Sequence, residues 1–334
     1  MNTLVRGLIR CLLVMVLATM AGFVMLRMLP GDPLGQSIEQ RGRTPEARAE
    51  LRARYALDAP LSVQVLRYVE GLARGDLGSS LVDGRPIAGE LLRATWLSMQ
   101  LAIPALMGAA MLGLLVGTAR GWLGEYRAVR VVFHALTAIT VLPEFMLALL
   151  LLVVLAVKAR WFPVGGVADP VIVYSGGAGT RLLDRLHHLV LPAGSLALTW
   201  SAIVARQQAL ATRSARDSHA TQAARARGLA PYTLWARYGL RVALPSSVTT
   251  ISLMFPALIS GTIVAETIFS WPGLGRLIVT GIGSRDYPLV VGALIVTSLC
   301  LAAASVFTEW LLGLADPRVV AAHSSRRLGG GARR

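Results

Sequence analysis

Lysine is almost absent from this chain. Of its 334 residues, 33 are lysine or arginine, and Lys158 is the only lysine. A phosphate-cradling loop of the form G-x-x-x-x-G-K-[ST] needs a lysine followed by serine or threonine. Lys158 is instead followed by Ala159 and ends an apolar segment. The chain therefore cannot form this ATP site itself.

Charged residues are scarce as a whole. They make up 15% of the sequence, whereas hydrophobic residues make up 54% and the mean hydropathy is +0.60. A soluble domain usually carries about a quarter charged residues. Several windows also exceed the roughly 18 apolar residues that indicate a membrane span. The composition predicts an integral membrane protein.

Cysteine and the short motifs of common catalytic sites are missing as well. The two cysteines, Cys11 and Cys300, lie far apart in apolar segments, which favours packing over a disulfide. The sequence has no C-x-x-C, no H-E-x-x-H and no G-x-S-x-G. His187 and His188 are adjacent, so on a helix they would point in different directions and chelate a metal poorly. We expect neither a metal site nor a catalytic residue.

Six apolar segments predict the fold, an all-α integral membrane protein with six transmembrane helices. They span residues 8–29, 95–118, 131–157, 189–205, 246–268 and 289–314. The first is interpreted as a retained helix, because its 22 residues are long for a signal-peptide core. The domains expected are the N-terminal end with the first helix, an extracytoplasmic subdomain, a five-helix core and a disordered basic tail, at 1–29, 30–94, 95–318 and 319–334.

Positive charge is concentrated in one set of connecting segments. With the N-terminus inside, the cytosolic pieces are 1–7 (with Arg10), 119–130, 206–245 and 315–334. They carry 17 basic and 3 acidic residues, whereas the rest of the chain carries 16 and 15. This asymmetry follows the positive-inside rule and matches anionic lipid headgroups, so it does not indicate nucleic-acid binding. Both termini are therefore predicted in the cytosol.

Helix-breaking and ionisable residues within the spans mark a possible pathway. Four spans contain a proline, namely Pro104, Pro143, Pro192 and Pro256. Kinked helices around a pathway would explain them, and so would the ordinary enrichment of proline in membrane helices. Glu144 and Glu266 are costly to bury in a membrane. A polar contact at a helix end or with another subunit, and a direct contact with substrate, are both open readings of these carboxylates.

The polar, arginine-rich stretch 213–245 lies between the fourth and fifth predicted spans. Its centre, Gln222–Gly228, carries small residues and two arginines at helical spacing. Asp217 or Ser218 can cap the start of a helix here, and Gly228 can end it in a left-handed conformation. The pattern predicts a short amphipathic helix with a cationic face. A plain basic loop next to the membrane is the alternative that the local sequence leaves open.

Several short blocks along the chain are familiar in their order and spacing. The most specific is A-E-T-I-F-S-W-P-G-L-G-R-L at 265–277. The others are L-P-G-D-P at 29–33, Y-A-L-D-A-P-L at 55–61, G-D-L-G-S-S at 75–80, L-D at 183–184, H-L-V-L-P at 188–192, R-D-Y-P at 285–288 and D-P-R at 316–318. Together they resemble the dipeptide/oligopeptide/nickel permease family of bacterial binding-protein-dependent ABC importers. The long segment after the first span is similar to that of the first permease of the pair.

The resemblance implies a role for the polar stretch. In this family an E-A-A-x-x-x-G loop forms the coupling helix, which docks in a groove on a cytosolic ATPase. The implied coupling residues are Asp217, Gln222, Ala223, Ala224, Arg225, Ala226, Arg227, Gly228 and Pro245. The alanines would allow close approach, while the arginines would steer and orient the contact. The chain departs from the family pattern at several positions: Gln222, His219, Ala220, Tyr238 and Val242.

The resemblance also implies a fold and a function. The fold would be that of a type I ABC importer permease with MetI-like architecture, in a bacterial inner membrane. The cargo would be peptides, a nickel chelate or a related small solute, delivered by an extracytoplasmic solute-binding protein. A second permease subunit would complete the pathway, and two cytosolic ATPase subunits would bind the ATP and Mg. This chain would bind no cofactor and would be a transport subunit, not an enzyme.

The residues of the pathway itself are harder to choose. The candidates for pathway or gate are Glu144, Ser195, Thr199, Glu266, Pro272, Gly273 and Gly275.

Two other functional classes stay open. An ATP-independent secondary carrier would need its own ion or proton site, and a membrane-embedded enzyme would need a nucleophile, a metal or an acid–base pair.

Overall fold

The computed structural model describes residues 74–315 without interruption, with side chains as far as residue 308, and a few single positions before residue 74. The predictions for nearly all of the first span at 8–29, for most of the segment at 30–94 and for the tail at 319–334 therefore lie outside the described residues.

Helices form almost all of the described chain, as the sequence predicts. They are α1 (Ile87–Trp122), α2 (Arg127–Ala138), α3 (Glu144–Lys158), α4 (Pro170–Ser175), α5 (Ala178–Arg216), α6 (His219–Ala226), α7 (Pro231–Ile268), α8 (Leu274–Gly283) and α9 (Tyr287–Ala315). The end of α3 and the stretch Leu234–Leu240 of α7 are wound as π-helix. Within this range the chain forms no strand, only one isolated bridge between Ser79 and Pro86.

Several of these helices have the length and hydropathy of membrane spans. In the described part of the chain, α1, α5, α7 and α9 each meet this criterion, and α2 and α3 together form a fifth span if they are counted as one. The remaining predicted span, at 8–29, lies outside that part.

The third predicted span, 131–157, is broken in the middle. The axes of α2 and α3 differ by 112°. Between them Leu142 and Pro143 are extended, with ψ of 133° and 143°. A proline disfavours helical geometry in the residue before it and donates no backbone hydrogen bond, so the helix stops here. The other three prolines lie inside the continuous helices α1, α5 and α7.

The predicted cytosolic loop at 206–245 is mostly helical. Since α5 runs to Arg216 and α7 begins at Pro231, only 217–218 and 227–230 interrupt the helices. Pro245, expected to close the loop, lies inside α7, where it forgoes one backbone hydrogen bond. Hydropathy misplaced these ends because it reports where side chains are apolar and not where the backbone stays helical.

A row of glycines on α1 allows α5 to approach closely. A Cβ atom added at these positions would lie 2.5 or 2.6 Å from α5, where Gly113 meets Val204, Gly117 meets Ala205 and Gly121 meets Thr212. Real side chains do not come so near, so only glycine permits this spacing of the two helices.

The chain divides into two compact units. One comprises residues up to Met99 together with Ser270–Ala302, and the other comprises Gln100–Phe269 together with the residues from Ala303. The core of the first unit packs α1 against α8 and α9 through a cluster of buried side chains, namely Ile87, Leu91, Ala94, Leu274, Leu289 and Ala293.

Two sequence blocks that lie far apart in the chain meet at Asp286 in the first unit. Asp286 is fully buried, and its carboxylate accepts hydrogen bonds from the Ser80 hydroxyl and from the backbone N–H groups of Leu81 (3.1 Å) and Leu289 (3.4 Å). The carboxylate thus ties the G-D-L-G-S-S block to the R-D-Y-P block. The local sequence of either block does not indicate this contact.

The S-W-P-G-L-G-R block is anchored to α1 in the same unit. The Trp271 indole is 1% exposed and donates to the Leu97 carbonyl at 2.9 Å. The Ser98 hydroxyl oxygen accepts from the Leu274 N–H at 2.8 Å. These two bonds fix the first turn of α8 against the helix that crosses into the second unit.

Candidate functional site

The predicted amphipathic helix is α6, and its first turn is capped by Ser218. The Ser218 hydroxyl accepts from the Thr221 N–H at 3.3 Å, which satisfies one donor that the helix itself cannot. The Ser218 and Thr221 hydroxyls both donate to the Ala215 carbonyl of α5, at 2.8 and 2.7 Å. Of the two caps that the sequence allows, the structure uses Ser218. The Asp217 carboxylate instead lies 3.1 Å from Arg216 Nε.

The other end of α6 is closed by Gly228, as predicted. Gly228 has a φ of +77°, in the left-handed region. Its N–H donates to Arg225 O at 2.9 Å, and the Leu229 N–H donates to Ala224 O at 3.4 Å. This pair of bonds is the Schellman motif, which satisfies the last carbonyls of a helix and turns the chain away.

The two faces of α6 have different surroundings. Thr221 and Ala224 are buried against the rest of the chain. Ala223, Ala226 and Arg227 are exposed. The expectation that all three alanines are free to approach a partner is therefore wrong for Ala224. The exposed face still offers two alanines and a cationic end within one helical turn.

The helix rests on a junction of three longer helices. Trp122, the last residue of α1, lies over Gly239 of α7 so closely that a Cβ on Gly239 would be 2.7 Å from the indole ring. Arg216, the last residue of α5, donates from Nη1 to the Trp122 carbonyl at 3.1 Å. Since Ser218 and Thr221 are bonded to Ala215 of α5, α6 lies directly beside the packed ends of α1, α5 and α7.

A polar network lies near this junction, within the same unit of the chain. The side chain of Gln208 is fully buried and donates to Thr118 Oγ1 at 2.9 Å and to Thr212 Oγ1 at 3.2 Å. Its carbonyl oxygen accepts from the Ser247 hydroxyl at 2.5 Å. The network links α1, α5 and α7, and buried polar groups that are satisfied in this way hold helices in one arrangement. No local sequence pattern indicates this network.

An open pocket of about 320 Å³ lies beside α6. Its wall is formed by the α1–α2 turn, the end of α5 and one flank of α6, that is by Trp122, Leu123, Glu125, Tyr126, Arg216, Asp217, Gln222 and Arg225. Gln222 and Arg225 therefore face a mixed polar surface that belongs to the same chain.

The pathway candidates are spread over both units. Ser195 and Thr199 each donate to their own helix, at 2.8 Å to Pro192 O and 3.1 Å to Ser195 O. Glu266 is fully buried at the end of α7. In the first unit Pro272 is exposed, whereas Gly273 and Gly275 are buried. Whether these residues line a pathway stays a prediction.

Glu144 has a different environment from the other candidates. It is the first residue of α3, and its carboxylate faces Gly261 of α7, beside the Trp200 ring of α5. The sequence marks Glu144 as an acid within a span, but it gives no reason to select Trp200 or Gly261.

The adjacent histidines have separate structural contacts. His187 Nε2 lies 2.8 Å from Trp161 O, and His188 Nδ1 lies 2.8 Å from Asp184 O and 3.3 Å from Asp184 Oδ1. The carboxylate of Asp184 also accepts from the Asp169 N–H at 2.8 Å, which holds the α3–α5 connection on α5. Within the described residues, no group of three or more metal-ligating side chains comes together.

The chain matches a known family over most of its helical part. Residues 109–321 match the model for the binding-protein-dependent transport system inner membrane component. The chain belongs to this family. It is therefore a multi-pass permease subunit of a binding-protein-dependent ABC transporter, as the sequence blocks predict. Such permeases are not enzymes, because a separate subunit hydrolyses the ATP.

Similar proteins with assigned roles cover nearly the whole length. The di/tripeptide transport system permease protein DppB of Pseudomonas aeruginosa is 31% identical over 317 residues, covering 90% of this chain and 93% of the relative. The dipeptide permease DppB of Escherichia coli is 30% identical, with the same coverage. The oligopeptide permease AppB of Bacillus subtilis is 29% identical, again with 90% and 93% covered.

Proposed function

We propose that this permease moves peptides inward across the bacterial cytoplasmic membrane, with the energy of ATP hydrolysed by partner subunits. The peptide cargo is supported by the printed roles of the relatives, which are di/tripeptide, dipeptide and oligopeptide permeases. Nickel chelates or related small solutes are the other cargo that the sequence resemblance allows.

The observation that supports the coupling role is how α6 is held against the ends of the longer helices. The helix has both ends capped, its inner face is bonded to the last turn of α5, and its outer face is exposed. An ATPase that binds Ala223, Ala226 and Arg227 would move the ends of α1, α5 and α7 together. The site residues of this coupling segment are Asp217, Gln222, Ala223, Ala224, Arg225, Ala226, Arg227 and Gly228.

The assembly that we propose has one copy of this chain, a second permease subunit, two cytosolic ATPase subunits and an extracytoplasmic solute-binding protein. ATP and Mg bind to the ATPase subunits. Both termini of this chain face the cytoplasm, so that α6 also lies on that side, where the excess of arginine is found.

Co-purification from the native locus in mild detergent tests the assembly. We expect a second permease and P-loop ATPases to be recovered with this chain, and the reconstituted complex to accumulate a labelled tripeptide only when ATP and the binding protein are supplied. Recovery of the chain alone, with uptake that needs no ATP, would show a secondary carrier instead.

A further inference from the structure

Three buried side-chain nitrogen or oxygen atoms in the described residues have no hydrogen-bond partner, namely Arg120 Nε, Glu144 Oε1 and Trp200 Nε1. Arg120 is otherwise engaged, because its Nη1 donates to Gly124 O at 3.2 Å and its guanidinium lies over the Phe133 ring. Glu144 and Trp200 have no such explanation. One is an acceptor and the other is a donor.

These two side chains converge on one small residue. From the position that a Cβ on Gly261 would take, Glu144 Oε1 lies at 3.6 Å, Glu144 Oε2 at 3.8 Å and Trp200 Cζ2 at 3.6 Å. Three helices, α3, α5 and α7, therefore bring a carboxylate and an indole to the same place, and a methyl group at Gly261 would make ordinary van der Waals contact with both. All three residues lie in the second unit.

The three residues lie in apolar segments that are predicted to span the membrane. Glu144 falls in 131–157, Trp200 in 189–205 and Gly261 in 246–268. Burying an ionised carboxylate is strongly unfavourable unless a cation or hydrogen-bond donors offset the loss of hydration. Glu144 begins α3, and the helix dipole favours negative charge at that end. An anionic Glu144 therefore needs a partner that the chain itself does not supply to Oε1.

We propose that Glu144, Trp200 and Gly261 form a binding site for the amino-terminal end of a peptide in transit. The peptide's ammonium group would bind the Glu144 carboxylate, and a backbone carbonyl oxygen of the peptide would accept from the Trp200 indole N–H. An unpaired acceptor beside an unpaired donor matches these two groups, which every unblocked peptide carries whatever its side chains. The site rests on the proposed peptide transport and names the part of the cargo that is recognised.

Uptake by the complete reconstituted transporter tests this site. The probes are labelled Ala-Ala-Ala and its N-acetyl derivative, both at saturating binding protein. The uptake rate of each variant is divided by the wild-type rate for the same probe, so that any preference of the binding protein between the probes cancels. We expect Glu144→Gln to lower uptake of the free peptide about tenfold, as loss of one charge-assisted bond implies, and to leave relative uptake of the acetylated peptide near one.

Two further variants examine the donor and the specificity of the effect. Trp200→Phe keeps a ring but removes the N–H, and we expect it to lower uptake of both peptides several-fold, because both carry the carbonyl group. The matched controls are Glu90→Gln, an exposed carboxylate at the start of α1, and Trp96→Phe, an exposed indole on the same helix. Both controls should keep wild-type uptake of both probes.

The outcomes separate the competing explanations. An equal loss of both probes in Glu144→Gln would overturn the site, because it would show that the carboxylate pairs with another subunit or supports the fold. Unchanged uptake in Glu144→Gln would overturn it as well. If the wild-type complex moves neither peptide while the loaded binding protein still stimulates its ATPase, the peptide cargo itself is wrong, and this result is visible before any variant is compared.

Discussion

Gly228 ends α6 with a φ of +77°, and a Cβ added there would meet nothing within 4 Å. Its role is therefore one of backbone conformation and not of space. Asp286 is the opposite case, since its role depends on the three hydrogen bonds that its buried carboxylate accepts. Gly228 therefore allows a test of backbone conformation, and Asp286 allows a test of hydrogen bonding through one carboxylate oxygen.

Replacement of Gly228 by valine should weaken coupling without removing the protein from the membrane. A β-branched residue in the left-handed region costs about 1–2 kcal/mol, which opens the last turn of α6. We expect ATPase stimulation by the loaded binding protein to fall at least fivefold in the reconstituted complex. Gly228→Asn is the control, because asparagine tolerates this region, and it should keep most of the stimulation. Full stimulation with valine would contradict the coupling role.

Replacement of Asp286 by asparagine should destabilise the protein. The amide group cannot accept from all the donors that the carboxylate serves, and an unsatisfied buried donor costs about 1–3 kcal/mol. We expect a lower melting temperature of the detergent-solubilised chain. Asp83→Asn, at an exposed position four residues before Ile87, should change the melting temperature little. Equal melting temperatures for both variants would mean that the Asp286 bonds contribute nothing net.

At the scale of helices, the close contact between α1 and α5 depends on glycines of α1, which have no side chain. The glycines of α1 lie opposite backbone and Cβ atoms of α5, and the Gln208 network begins at the same level. Since a helical glycine is intrinsically unfavourable by about 1 kcal/mol relative to alanine, its presence here is offset by packing. The cost and the compensation can be separated by experiment.

Gly117→Ala should destabilise the helix pair although alanine is the better helix former. The new methyl group would lie 2.5 Å from the Ala205 carbonyl oxygen, so the helices would have to move apart. Gly89→Ala on the same helix meets nothing within 4 Å and should be neutral or stabilising by up to about 1 kcal/mol. The melting temperature should therefore fall in Gly117→Ala and stay unchanged or rise in Gly89→Ala. A Gly117→Ala variant that melts at or above the wild-type temperature would show that the close approach is not required.

At the scale of the whole molecule, function depends on which side of the membrane α6 faces. The arginine-rich segments and α6 fall on one side of the predicted topology, whereas α4, between α3 and α5, falls on the other. The orientation decides whether α6 can reach a cytosolic partner at all.

Cysteine labelling checks this orientation. In a background with Cys11→Ser and Cys300→Ser, we expect Tyr174→Cys on α4 to react with an impermeant maleimide in intact spheroplasts, because Tyr174 is 88% exposed. Ala226→Cys on α6 should react only after lysis. The reverse pattern would contradict the topology and remove the coupling role of α6.

The sequence alone determined the class, the family and the C-terminal end of α6, and it reduced the N-terminal cap to two adjacent residues. Hydropathy depends on composition within a window, and caps such as Ser218 and Gly228 act within about five residues of the chain, so both can be found from local sequence. The tertiary structure decided that only one of four span prolines breaks its helix, that Ala224 faces inward, and that Glu144 meets Trp200 and Gly261. These features depend on which distant segments pack together, because burial and partner choice are set by neighbours in space that no local pattern records.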